Sequence, residues 1–127
     1  MEHLEGLAAL AIDCDSDPAA LARWWQGLVG GEVEVDDDGA SLHVPGYPRL
    51  DFLPVPDAKT VKNRLHFDLR ATDFDAAVEA AIAHGATRAD DVYDGDRWQV
   101  LRDPAGNEFC VLRPRPSSWS TRGCSRC

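Results

Sequence analysis

Asn63-Arg64-Leu65-His66-Phe67-Asp68-Leu69-Arg70-Ala71-Thr72-Asp73-Phe74-Asp75-Ala76-Ala77 decides how the rest of the chain is read. Leu65, Phe67, Leu69 and Ala71 alternate with His66, Asp68 and Arg70. A period of two marks a strand with one apolar and one polar face. The stretch then turns at Thr72-Asp73 and enters a helix. Its polar face carries an imidazole, a carboxylate and a guanidinium. Such a face is either solvated, as in many antiparallel sheets, or it lines a pocket.

Working outward, the pattern repeats. The helix after Asp73 spans about Phe74 to His84, with Phe74, Ala77, Val78, Ala81 and Ile82 as its inward stripe and Gly85 closing it. An acidic loop, Asp90 to Asp96, leads to a strand over Arg97 to Arg102. Asp103-Pro104-Ala105-Gly106-Asn107 is a tight turn, and Glu108 to Arg113 the last strand. Towards the N-terminus, Leu4 to Cys14 reads as a buried strand, and Asp15-Ser16-Asp17-Pro18 starts a helix that runs to about Leu28. Leu21, Trp24, Trp25 and Leu28 form its stripe, and Gly30-Gly31 ends it. Strands follow at Glu32 to Val35, Ala40 to Val44 and Leu50 to Val55. Pro54 to Thr60 is a linker, with Lys59, Lys62 and Arg64 as a basic cluster at its end.

Strand, helix and three strands therefore occur twice. Asp17-Pro18-Ala19-Ala20-Leu21 aligns with Phe74-Asp75-Ala76-Ala77-Val78, and Gly46 to Pro56 aligns with Gly106 to Pro114. The expected fold is α+β: two βαβββ modules, about residues 4–57 and 62–115, within a domain over 1–116. They would form a cupped antiparallel or mixed sheet with the helices on its outer face. Residues 117–127 have little apolar content and are expected to be a disordered tail.

Charge narrows the partners. With 22 acidic and 13 basic residues the net charge is -9. Nucleic acid and anionic membranes select basic surfaces, so neither is an expected partner. No apolar run reaches the roughly 20 residues of a membrane span. Met1-Glu2-His3-Leu4-Glu5 lacks the zones of a signal peptide, so a cytoplasmic protein is expected. Cys14 and Cys110 sit in apolar strands and read as buried free thiols. Cys124 and Cys127 form one Cys-x-x-Cys, which alone does not complete a zinc shell.

These motifs resemble the vicinal oxygen chelate superfamily, which contains glyoxalase, bleomycin-resistance and extradiol dioxygenase proteins. The stretches that carry the resemblance are Ile12-Asp13-Cys14 with Asp17 to Trp25, Lys59 to His66, and Asp103 to Leu112. The small glyoxalase-like branch is the nearest in pattern, over about residues 4–114. The resemblance implies a homodimer, a small-molecule ligand and a divalent metal held at four strand positions. Those positions fall near Ala9, near Phe52, on His66 and on Cys110. Ala9 cannot ligate, and alternation is expected to turn Asp51, beside Phe52, to the other face. Only His66 and Cys110 are left as metal ligands. No cofactor is therefore expected; a divalent metal would have an incomplete ligand set.

Function is read in that light. The first expectation is an enzyme of lyase or isomerase type acting on a small organic molecule without the family's full metal site. Its catalytic residues would be His66, Glu108 and Cys110, and its substrate would meet Asp68, Arg70, Trp98, Trp24 and Phe52. Histidine changes charge near neutral pH and suits proton transfer. Tryptophans suit flat organic ligands. The alternatives are a non-catalytic protein that sequesters a small molecule or antibiotic, and a metal-dependent glyoxalase or dioxygenase.

Overall fold

A computed structural model describes residues 7–56 and 66–115, together with His3, Lys59 and Thr60. Lys62, Arg64, the first residues of the opening stretch, and the tail with Cys124 and Cys127 lie outside the described residues. The chain divides into two units, Met1–Thr60 and Val61–Cys127.

The first unit holds β1 (Ala9–Cys14), α1 (Pro18–Val29), β2 (Glu32–Asp36), β3 (Gly39–His43) and β4 (Arg49–Pro54). The second holds β5 (Phe67–Arg70), α2 (Phe74–Ala83), β6 (Thr87–Arg88), β7 (Trp98–Arg102) and β8 (Glu108–Leu112). Each unit makes a four-stranded mixed sheet, ordered β1-β4-β3-β2 in one and β5-β8-β7-β6 in the other. The first strand of each pairs parallel with the last, and the other pairs are antiparallel. The expected α+β duplication is therefore present.

Both helices start on an aspartate. The Asp17 carboxylate accepts from the Ala19 N–H, with Pro18 at the first helical position, and the Asp73 carboxylate accepts from the Ala76 N–H. An acidic cap satisfies amides that have no partner in the helix. The caps also set the correspondence of the two helices. Counting from Asp17 and Asp73, Ala22 stands with Val78 and Trp25 with Ala81, and all four are buried. This is one residue away from the alignment read in the sequence. Trp24 is only half-buried, edge-on to Trp25 at 5.2 Å between ring centroids.

In the first sheet Cys14, Ala40, Leu42 and Phe52 are buried with Leu21, Ala22 and Trp25 of α1. Phe52 and Leu42 are completely inaccessible, which places them on the helix-bearing face. Alternation then turns Asp51 and Ser41 to the far face. In the second sheet β8 is buried along its whole length, so it is covered on both sides. Phe109 and Val111 share one face with Leu101, since Phe109 pairs with Leu101. Cys110 and Leu112 share the other with Val100, where they pack with Ala89 and partly buried Val92, Tyr93 and Trp98.

Two turns fix these registers. At the end of α1, Gly31 takes φ +96, and a methyl there would sit 2.5 Å from the His43 carbonyl oxygen. Before β8, the buried Asp103 carboxylate accepts from the Ala105 N–H at 2.9 Å, the Asn107 N–H at 2.8 Å and the Asn107 side-chain amide at 3.1 Å. Gly106 at φ +87 completes this turn. Two consequences are measurable by urea unfolding. Gly31→Ala should cost about 2 kcal/mol or more, because backbone strain and a clash act together. Asp103→Ala should cost about 2–4 kcal/mol, because it orphans a cluster of turn donors.

Candidate functional site

The far face of the second sheet can be laid out from its register. Asp68 pairs with Cys110, and Cys110 pairs on its other side with Val100. Arg70, Leu112 and Trp98 form the next row, and Glu108 pairs with Arg102. His66 stands immediately before β5 and, two residues from Asp68, falls on the same side. One face thus gathers an imidazole, a thiol, two carboxylates and two guanidinium groups across three strands.

At its centre are His66, Asp68 and Cys110. Their candidate ligand atoms lie within 4.8 Å of one another. His66 Nε2 is 3.3 Å from Asp68 Oδ1, and both side chains are about a third exposed, at 31% and 30%. Cys110 is a buried free thiol, as is Cys14. Glu108 is also buried, which is uncommon for a carboxylate.

Arg102 and Asp91 close one side. Arg102 donates to both Asp91 oxygens, at 2.9 and 2.7 Å. Asp91 lies in the segment joining β6 to β7. The hydrogen bond from Arg102 holds the Asp91 carboxyl below the usual carboxylate range. The same bond raises the Arg102 guanidinium, with a smaller contribution from Glu108. Tyr93, in the same segment, stacks on Trp98 at 4.2 Å and 12° between planes. The segment is thus fixed to the far face at two points, above Val100, Cys110 and Leu112.

The residues singled out from sequence fall unevenly. Asp68, Glu108, Cys110 and Trp98 share the far face with His66. Arg70 shares it too, and its guanidinium donates to the Arg113 carbonyl at 2.8 Å. Trp24 belongs to the first unit. Phe52 requires correction: it is sealed beneath α1, so it presents no surface to a ligand. The residue on the far face of β4 is Asp51. Taking Ala9 as the counterpart of His66, Ala11 corresponds to Asp68. Ala11 pairs with Asp51 as Asp68 pairs with Cys110, so Asp51 corresponds to Cys110. The expectation failed because Phe52 and Asp51 differ by one position, and one position inverts the face. Asp91 and Tyr93 were missed because each is an unremarkable member of an acidic loop.

The Asp51 carboxylate is engaged within its own sheet. It accepts from Arg49 Nε at 2.7 Å, Arg49 Nη2 at 3.0 Å and Ser41 Oγ at 2.8 Å. The Arg49 bond, opposed by partial burial and helped by Ser41, holds it below the usual range. Of the four positions at which the sequence resemblance implies a metal, the first therefore offers no donor and the second is already engaged by Arg49 and Ser41. His66 and Cys110 remain, now joined by Asp68. A nitrogen, a sulfur and a carboxylate oxygen fit a zinc-class ion; magnesium and manganese favour oxygen alone.

A family model for a glyoxalase-like domain matches residues 9–112. The chain belongs to the glyoxalase-like domain family. Solved structures share this glyoxalase-like fold. "Oxidase ChaP-H2" is 24% identical with a TM-score of 0.64, over 89% of this chain and 95% of that one. A glyoxalase/bleomycin resistance protein/dioxygenase family enzyme from Burkholderia phytofirmans is 20% identical with a TM-score of 0.65, over 84% and 96%. TnmS3, an antibiotic binding protein from a Streptomyces species, is 15% identical with a TM-score of 0.59, over 91% and 100%. A search of curated protein sequences finds no match. No helix among the described residues is long and apolar enough to cross a membrane.

The Asp91–Arg102 pair gives a pH-dependent expectation. A carboxyl whose pKa is lower folded than unfolded stabilises above the unfolded value, about 3.9, and loses this as pH falls through the folded value. The protection of the Val92 and Tyr93 amides, expressed relative to the intrinsic exchange rate at each pH, should therefore fall in acid below about pH 4. Asp91→Asn should lower that protection already at neutral pH, leaving the amides of β8 unchanged.

Proposed function

We propose that the protein takes a small organic molecule on the far face of the second sheet and carries out lyase- or isomerase-type chemistry on it. The observation that carries this reading is the meeting of His66, Asp68 and Cys110 beside buried Glu108. Proton transfer needs a base with a fixed lone pair and a partner that steadies its charged form. His66 is the base, and Asp68, 3.3 Å from Nε2, orients the ring and steadies the imidazolium. Glu108 is the second proton-carrying group, and the Cys110 thiol borders the reacting atoms. Trp98, stacked on Tyr93, supplies an aromatic wall, and Arg70 gives an anionic or hydroxylated substrate a hydrogen-bonding end. A divalent ion held by His66, Asp68 and Cys110 would, when bound, polarise a carbonyl or hydroxyl oxygen. Two buried free thiols fit a reducing, cytoplasmic compartment, and the family resemblance supports a homodimer.

A second reading has a specific observation in its favour. The Tyr93–Trp98 stack is an aromatic platform, and a structure with the same fold is described as an antibiotic binding protein. On that reading the face sequesters a flat compound without changing it.

Two variants separate the readings. A ligand is first found by screening small carbonyl and aromatic compounds against the protein. For an enzyme, His66→Ala should lower turnover by about two to four orders of magnitude while ligand affinity changes little. For a sequestering protein no compound turns over, and Trp98→Ala weakens binding by about tenfold, the value of one lost aromatic stack. Turnover that survives His66→Ala unchanged excludes the first reading.

A further inference from the structure

We propose that residues 90–96 are a hinged strap over the far face of the second sheet, and that Tyr93 is its plug. The Tyr93 ring rests on Trp98 where a flat ligand ring binds, so the ligand enters by displacing it. This deepens the reading that a small molecule is taken on that face, and rests on it. The starting observation is that the middle of the face is sealed. Cys110 is 3% exposed and Val100 4%, and both lie with Ala89 and Leu112 against Val92, Tyr93 and Trp98. A molecule that is to meet the Cys110 thiol must first move part of that cover.

The segment has fixed ends. At its start, the Ala89 N–H donates to the Val100 carbonyl at 2.9 Å, and the Asp90 carboxylate accepts from the Gln99 side-chain amide at 3.1 Å. At its end, Arg113 Nε donates to the Asp96 carbonyl at 2.8 Å, and the same guanidinium lies 4.0 Å over the Phe74 ring. Between these ends, Asp91 and Tyr93 tie the segment to the sheet. The Asp91–Arg102 pair stands in water, with the Asp91 side chain 67% exposed. Exposed ion pairs hold weakly. Firm ends with exposed polar ties between them are the marks of backbone that opens locally.

Tyr93 is the tie that a ligand can replace. Its ring lies nearly parallel to Trp98, 4.2 Å away at 12° between planes. Its hydroxyl accepts from the Arg97 N–H at 3.4 Å. Gly95 leaves room for that hydroxyl, since a methyl at Gly95 would overlap it. A flat aromatic ring laid on Trp98 recovers both the stacking and the apolar burial that Tyr93 gives up. An aliphatic ligand of the same size recovers the burial alone. The strap therefore selects a flat aromatic ring over an aliphatic chain.

The test uses Cys110 as a buried reporter in the full chain. Iodoacetamide alkylates it, and peptide mass spectrometry follows it apart from the other thiols, with buried Cys14 as the reference in the first unit. Tyr93→Ala and Gly95→Ala should each speed Cys110 alkylation by about tenfold, the value of one lost stack, and leave Cys14 unchanged. Over the first molar of urea the wild-type rate should rise less than about twofold, whereas unfolding of the whole unit would raise it about fivefold or more. The plug also has a test of sign. Naphthoate, a flat anionic probe, should bind Tyr93→Ala about tenfold more tightly than wild type, because no ring has to leave; were Tyr93 a fixed wall, the variant would bind it more weakly. Unchanged Cys110 alkylation in either variant, a steep urea dependence, or naphthoate affinity that does not rise in Tyr93→Ala overturns the proposal. Such a result leaves the proton-transfer reading standing, since that reading is judged by turnover in His66→Ala.

Discussion

The register of β8 between its two neighbours is the constraint on which the site depends. β8 pairs parallel with β5 on one side and antiparallel with β7 on the other, and both of its faces are buried. That placement sets Cys110 beside Asp68 and Glu108 beside Arg102. A slip of one residue would send Cys110 and Glu108 to the helix-bearing face and bring Phe109 and Val111 into the cluster. The Asp103 turn opposes such a slip. Its carboxylate binds the turn's own amides immediately before the strand, so the strand starts at a fixed residue. A loop that reads as punctuation is thus what aims the reactive groups.

The two units show how one fold can hold polar groups in different conditions. In the first, Asp51 stands where Cys110 stands in the second, yet Arg49 and Ser41 from its own sheet occupy it. Such a carboxylate has little left to offer a ligand or an ion. In the second, the imidazole, carboxylate and thiol meet one another instead. The duplicated architecture supplies equivalent positions, and the residues placed on them decide which half is poised for chemistry.

Much of this was legible in the sequence because the physics is local. Alternation around His66, the acidic helix start at Asp15 to Pro18, and the glycines after each helix gave the elements and the duplication. The same alternation assigned His66, Asp68 and Arg70 to one face, and the strand after Asn107 put Glu108 and Cys110 on one face. What local reasoning could not supply was pairing between strands. The sequence reading counted His66 and Cys110 as the surviving donors. It could not show that Asp68 lies beside Cys110, because that follows from a hydrogen-bond register between segments 42 residues apart. The exchange of Phe52 for Asp51 has the same origin: a one-residue error in correspondence is a complete error of face. Asp91 and Tyr93 were invisible for a different reason, since nothing local tells which members of an acidic loop will fold back on Arg102 and Trp98.

The central claim is that the far face of β5, β8 and β7 is where this protein meets its small molecules. Protein-observed NMR with a library of small aromatic and carbonyl compounds tests it most directly, because each backbone amide reports its own surroundings. The account predicts that binders shift amides of residues 66–70, 89–93, 98–102 and 108–112 together. Shifts confined to residues 7–56 would contradict it.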